Sequence, residues 1–275
     1  MQERRNYKFQ DDKMFCTVLA KNPDLAKELI EVILGIEINR VECVNAQKIL
    51  NYAYDVRSVR FDVYLKDGNG VIYDVEMETT GDTKKLKFLP RRSRYYAGAI
   101  DTGEYPEGTE FQDIKDTYII FICLHDPFKP FGLAKYTCRV RCEENEDVNV
   151  NDGVTYIYLN CSAINKNVSN ELAELLDFVA GKDAGENALT QRINDAVTRI
   201  NDDPEWRRWA VTLEQKLREA RTEGILEERK AAVITLYETL LKIFNSVERA
   251  LRETETAYPD SDVKQILEEA GISFE

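Results

Sequence analysis

The segment 58–78 constrains the fold of this chain more than any other. Asp67-Gly68-Asn69-Gly70 is a strong hairpin signal, because Asp-Gly and Asn-Gly pairs tolerate the positive φ that tight turns between strands require. Both flanking arms alternate. Val59, Phe61, Val63 and Leu65 share one face of the first arm, and Val71, Tyr73, Val75 and Met77 share the matching face of the second. The opposite face is polar, with Arg60, Asp62, Tyr64 and Lys66 on one arm and Asp74, Glu76 and Glu78 on the other. Folding about the turn brings position 62 to within about a residue of position 76, where facing Cβ atoms stand roughly 5 Å apart. Asp62 and Glu76 are expected nearly to touch.

Two carboxylates that close repel one another, so something should compensate. A divalent cation is one answer, since hard cations take carboxylate oxygens. A solvated face on which Arg60 or Lys66 pairs with the acids is the other. The next segment bears on the choice. From Lys84 to Ile100 there are six basic residues and no acidic one: Lys84, Lys85, Lys87, Arg91, Arg92 and Arg94. Arg91, Arg94 and Tyr95 fall at i, i+3, i+4 and share a helical face. Such donors near a metal suit a phosphate backbone; a solvated helix face pairing with acidic loops is the bland alternative.

The local basicity stands out because the chain as a whole is acidic, with a formal net charge of −13 over 275 residues. Bulk attraction to nucleic acid is thereby excluded, and contact with it must come from a local patch or through bound cations. No apolar run approaches the roughly 18–20 residues of a membrane span. The best, 118–124, has the length of a buried strand. The N-terminus lacks the apolar stretch of a signal peptide, so a cytoplasmic location is expected. Six cysteines, at 16, 43, 123, 138, 142 and 161, form no CxxC pair, and His125 is the single histidine. Structural zinc and two-histidine mechanisms are therefore not expected. Reduced, mostly buried thiols are, and His125 reads as a turn residue.

Elsewhere the pattern alternates helix and strand. Residues 11–34 read as two helices, restarted at Asn22-Pro23-Asp24 and ended by Gly35. Helix is expected over 83–100, interrupted by Pro90; strands over 117–124, 136–141 and 154–161; and a helix over 169–180 ending at Gly181. From about 186 the pattern is almost wholly helical. Trp206, Trp209, Leu213 and Leu217 form one apolar stripe, and Val233, Leu236, Leu240, Ile243 and Val247 another, with Gly224 interrupting. The expected division is 1–183 and 184–275, with the C-terminal helices a candidate surface for self-association or a partner.

Four segments together resemble a known group: Asp12-Lys13-Met14-Phe15, Phe61-Asp62-Val63-Tyr64, Gly70 to Glu78, and Arg91-Arg92-Ser93-Arg94-Tyr95-Tyr96. They look like the PD-(D/E)XK nuclease family transposases, also called recombination-promoting nucleases, over about residues 6–180. The resemblance implies an α/β, restriction-endonuclease-like core, with a mixed sheet flanked by helices. It implies Mg²⁺- or Mn²⁺-dependent hydrolysis of DNA phosphodiester bonds in a mobile-element or recombination setting, leaving a 5′-phosphate and a 3′-hydroxyl. Asp62, Glu76 and Asp12 match the metal-binding acids, and Asp62, Glu76 and Glu78 the catalytic positions. Glu78 departs from the family, which has Gln or Lys there. A Lys would stabilise developing negative charge, and Glu cannot. Lys84, Lys85 or Arg91 of the following helix could supply that cation instead. The alternative is a nuclease fold that has lost its chemistry and serves as an interaction scaffold.

Overall fold

The computed structural model describes residues 6–46, 48–50 and 59–272. Strands β1 (Val41–Ala46), β4 (Val63–Asp67), β5 (Ile72–Glu78), β6 (Thr117–Cys123), β7 (Lys135–Cys138) and β8 (Val154–Asn160) form a six-stranded sheet in the order β1-β4-β5-β6-β8-β7. The central β5, β6 and β8 run parallel, while β1, β4 and β7 are antiparallel to their neighbours. Two short segments, β2 (Ile49–Leu50) and β3 (Val59–Arg60), pair separately. Strand β6 is buried almost throughout, as expected for a parallel strand covered on both faces.

The hairpin forms where the turn chemistry puts it. Asp67 Oδ1 accepts from the Asn69 and Val71 amides at 2.9 Å, and Gly70 takes φ 82°. A Cβ at Gly70 would also approach Lys115 to 3.2 Å, so a side chain there meets both strain and contact. The first arm, however, is not one strand. It breaks at Phe61 and Asp62 between β3 and β4, and Phe61 turns onto the face of Tyr64, their ring centroids 5.8 Å apart. Nor is the polar face solvated: Tyr64, Asp74 and Glu76 are all buried. They lie under helix α4 (Leu89–Glu104), whose inner residues Leu89, Ala97 and Ile100 share a core with Tyr64, Ile72, Phe121 and Tyr158.

Helices α1 (Asp12–Lys21) and α2 (Pro23–Leu34) form as expected, and Gly35 ends α2 at φ 72°. Asn22 is positioned as an N-cap, but its side chain donates back to the Val18 carbonyl. Helix α1 packs against β1 and β4. Before α4 comes a single turn, α3 (Thr83–Leu86), capped by Asp82. Pro90 sits in the first turn of α4, where its missing N–H costs nothing, so it starts that helix rather than interrupting one.

Helices α5 (Asn170–Val179) and α6 (Ala188–Asp202) complete the first compact unit, Met1–Pro204. This boundary falls later than the compositional shift at 183, because α6 is amphipathic and packs against α1, α2 and α5. The second unit, Glu205–Glu275, contains most of α7 (Pro204–Phe244) with α8 (Val247–Ala257) and α9 (Val263–Glu269). Its core is Val233, Tyr237, Ala250, Val263 and Leu267. Gly224 does not interrupt α7, which runs through it for 41 residues. Trp206 is buried, Trp209 is half exposed, and the side chain of Leu217 lies outside the described residues. No described helix is long and apolar enough to cross a membrane.

Candidate active site

The break in the first arm builds the site. Ladder pairing of β4 with β5 stops at Val63 opposite Val75, so the next backbone groups need other partners. Side chains supply them reciprocally. Glu76 Oε1 accepts from the Asp62 amide at 2.8 Å, and Asp62 Oδ2 accepts from the Met77 amide at 3.1 Å. The two acids converge across the hairpin, each held by the other's strand.

Asp62 also faces the first turn of α1. One donor atom from each of Asp12, Cys16 and Asp62 lies within 4.8 Å of the others. Asp12 and Cys16 stand at i, i+4 on α1, and the thiol is 3.6 Å from Asp12 Oδ1. Burial, then Glu76 and Asp12, push the Asp62 carboxyl up to about 8. Burial and then the neighbouring acids push the Cys16 thiol up as well, so it stays protonated at neutral pH. Arg60 reaches Asp12 only at 3.5 Å with both side chains about half exposed, an ion pair worth little.

Glu76 stands beside this trio rather than within it. Its Oε2 accepts from Arg92 Nη2 at 2.9 Å, while Arg92 Nη1 donates to Glu78 Oε2 at 2.7 Å. One guanidinium thus bridges both acids of the strand. It is fixed from behind, its carbon 4.7 Å from the Phe121 ring centroid and 5.4 Å from that of Tyr96. Glu78 further accepts from the Thr80 amide at 3.0 Å. Asp74, two residues before Glu76, is fully buried with neither carboxyl oxygen hydrogen-bonded at normal geometry. Burial first, then the Glu76 and Asp62 charges, hold it well above the usual carboxylate range.

Asp12, Asp62, Glu76 and Glu78 floor a cleft of about 990 Å³, and Lys85 of α3, Phe88 at the N-cap of α4, and Arg91 and Tyr95 of α4 line it. Of the six cations expected to face DNA, Lys85 and Arg91 line this cleft beside exposed rings, and Arg92 is committed to its carboxylates. Lys84, Lys87 and Arg94 are exposed outside it. None of Lys84, Lys85 and Arg91 takes the place next to Glu78; Arg92 does. Asp12 and Cys16 come together through the i, i+4 spacing of a helix, a signal available in the sequence but masked by the reading of the cysteines as buried thiols. His125 is exposed at a turn beside Gly81 and takes no part.

The donor set fits a hard divalent cation. Asp12 and Asp62 offer carboxylate oxygens within 4.8 Å of each other, and the cation beside them, Arg60, reaches Asp12 at 3.5 Å while about half exposed. Cys138 and Cys142 form no comparable group; the described cysteines are all free. Among known proteins, a family model described as PD-(D/E)XK nuclease family transposase matches residues 5–270. No curated protein and no solved structure matches the chain.

Proposed function

The chain belongs to the PD-(D/E)XK nuclease family transposases, and from that premise we propose that it is a metal-dependent DNA endonuclease acting in recombination or the movement of a mobile element. The observation that carries this reading is the meeting of Asp12 and Asp62 donor atoms, with that of Cys16, within 4.8 Å, at a cleft that both acids line together with Lys85 and Arg91. A bound Mg²⁺ or Mn²⁺ supplies Lewis-acid polarisation of a phosphate and lowers the pKa of water. Asp62 and Asp12 would hold the ion, with Glu76 at its side. The Asp62 amide and Arg92 fix the Glu76 carboxylate in one orientation before substrate arrives. Arg92 also brings positive charge to the position where the family carries Lys or Gln, and Glu78 anchors that guanidinium instead of acting on phosphate. Lys85 and Arg91 attract the strand. In-line attack of water on phosphorus would leave a 5′-phosphate and a 3′-hydroxyl.

Glu78 and the hold of Arg92 on Glu76 favour a second reading, a nuclease fold kept as a non-catalytic scaffold. One experiment separates them. Purified protein should nick supercoiled plasmid in Mg²⁺ or Mn²⁺, Asp62→Ala should abolish nicking, and titration calorimetry should find a Mn²⁺ site. No cleavage of any DNA form in either metal leaves the scaffold. A cytoplasmic location and self-association through the C-terminal helices complete the proposal.

A further inference from the structure

The wall of the cleft alternates cation and ring. Lys85, Phe88, Arg91 and Tyr95 follow one another at helical spacing and all line it. Phe88 is 51% exposed and Tyr95 42%. Phe88 opens α4 at its N-cap, and the Arg91 guanidinium stands 5.4 Å from its ring centroid. Duplex DNA gives such rings no base face to stack on, since its bases are stacked on each other and only sugar, phosphate and groove edges are presented. Unstacked bases do: base–aromatic stacking is tolerant of sequence, and flanking cations track the backbone. Size agrees. A recess of about 990 Å³ lies at the upper end of the range, about 300–1,000 Å³, of small-ligand clefts, which is room for a few nucleotides.

Resting on the nuclease reading, we propose that this wall seats an unpaired stretch of DNA. Its bases stack on Phe88 and Tyr95 and its phosphates meet Lys85 and Arg91, so the substrate of the cleft is single-stranded or locally melted DNA. The same seat places the backbone over Asp12, Asp62 and Glu76, which share the cleft.

The test uses the full chain carrying Asp62→Asn, so that strands are bound but not cut, in Mn²⁺. Anisotropy is read with a labelled single strand, the same sequence as duplex, and the same sequence as RNA. The DNA single strand should bind at least about tenfold more tightly than the duplex. Phe88→Ala and Tyr95→Ala should each weaken single-strand binding by roughly 5–150-fold, the range of one lost stacking contact, and leave duplex binding little changed. Phe88→Trp should keep the affinity and show its indole fluorescence quenched by the strand. Equal affinity for duplex, indifference of single-strand binding to both alanine variants, or tighter binding of RNA overturns the proposal. Nicking of plasmid by the unmodified protein tells the two readings apart. If it persists, only the unpaired-strand proposal falls; if no DNA form is cut, the nuclease reading falls and takes this one with it.

Discussion

Asp62 sits where three acids meet with too little counter-charge, and that sets its titration. Its carboxyl is raised to about 8 in the folded chain, against roughly 3.9 for a free Asp. The folded state therefore holds this proton more tightly than the unfolded state does. The resulting stability is fully present below about pH 4 and is lost as pH rises through about 8, so the metal-free protein should weaken across that window. Asp62→Asn keeps an acceptor for the Met77 amide but removes the charge. At about pH 8.5, without divalent ions, we expect its Tm to exceed that of the unmodified protein by about 4–8 °C, corresponding to about 2 kcal/mol of relieved repulsion. Below about pH 4 the two should melt together. Calorimetric scans at both pH values check this; equal Tm values at the higher pH would show that Asp62 is already neutralised. Mn²⁺ should reverse the order, because the ion binds only the ionised acid and releases its proton.

At the level of elements, the hairpin was readable because a four-residue turn pins register, and register alone places 62 opposite 76. The break at Phe61 and Asp62 was not readable. Period-two alternation continues through those residues in the sequence, and only the reciprocal amide contacts of Asp62 and Glu76 reveal that the ladder has ended. The burial of the polar face was hidden for a similar reason: it depends on Ser93 and Ala97 being small enough for α4 to lie against the sheet. Likewise Arg92 looked like one of six equivalent cations until helix phase aimed it inward. In the second unit, the stripe at Val233 and Tyr237 finds its partners in α8 and α9. Val211, Ile225 and Ile243 do not, being 53%, 56% and 66% exposed, and at 100° per residue they share one side of α7. Exposed apolar residues recurring on one side of a long helix are candidate contacts for self-association. If α7 mediates self-association, sedimentation equilibrium of the full chain should show an oligomer, and Ile225→Glu with Ile243→Glu should yield monomer with unchanged helix content. A monomeric parent chain would rule the pairing out.

For the molecule as a whole, charge decides what binding requires. The net charge is −13, yet 84–100 carries six basic residues and no acid, so the remainder is more negative than the total. A phosphate strand approaching the cleft meets Lys85 and Arg91 on one wall and Asp12 and Asp62 on the floor. Without a bound cation the floor repels the strand that the wall attracts, and both effects are screened over about 8–10 Å at ordinary salt. A divalent ion cancels the two floor charges. We therefore expect chelation with EDTA to lower the affinity of the full chain for single-stranded DNA by about tenfold or more, about 1.4 kcal/mol. At about pH 8.5, where Asp62 is largely ionised without metal, Asp62→Asn should recover part of that loss in EDTA, since it deletes a floor charge and touches no residue of the wall. Raising the salt concentration should shrink the difference between the two proteins. Anisotropy titrations in EDTA and in Mn²⁺ decide the matter. An affinity indifferent to the metal would mean that the strand lies on the basic helix alone, away from the acids that are proposed to cut it.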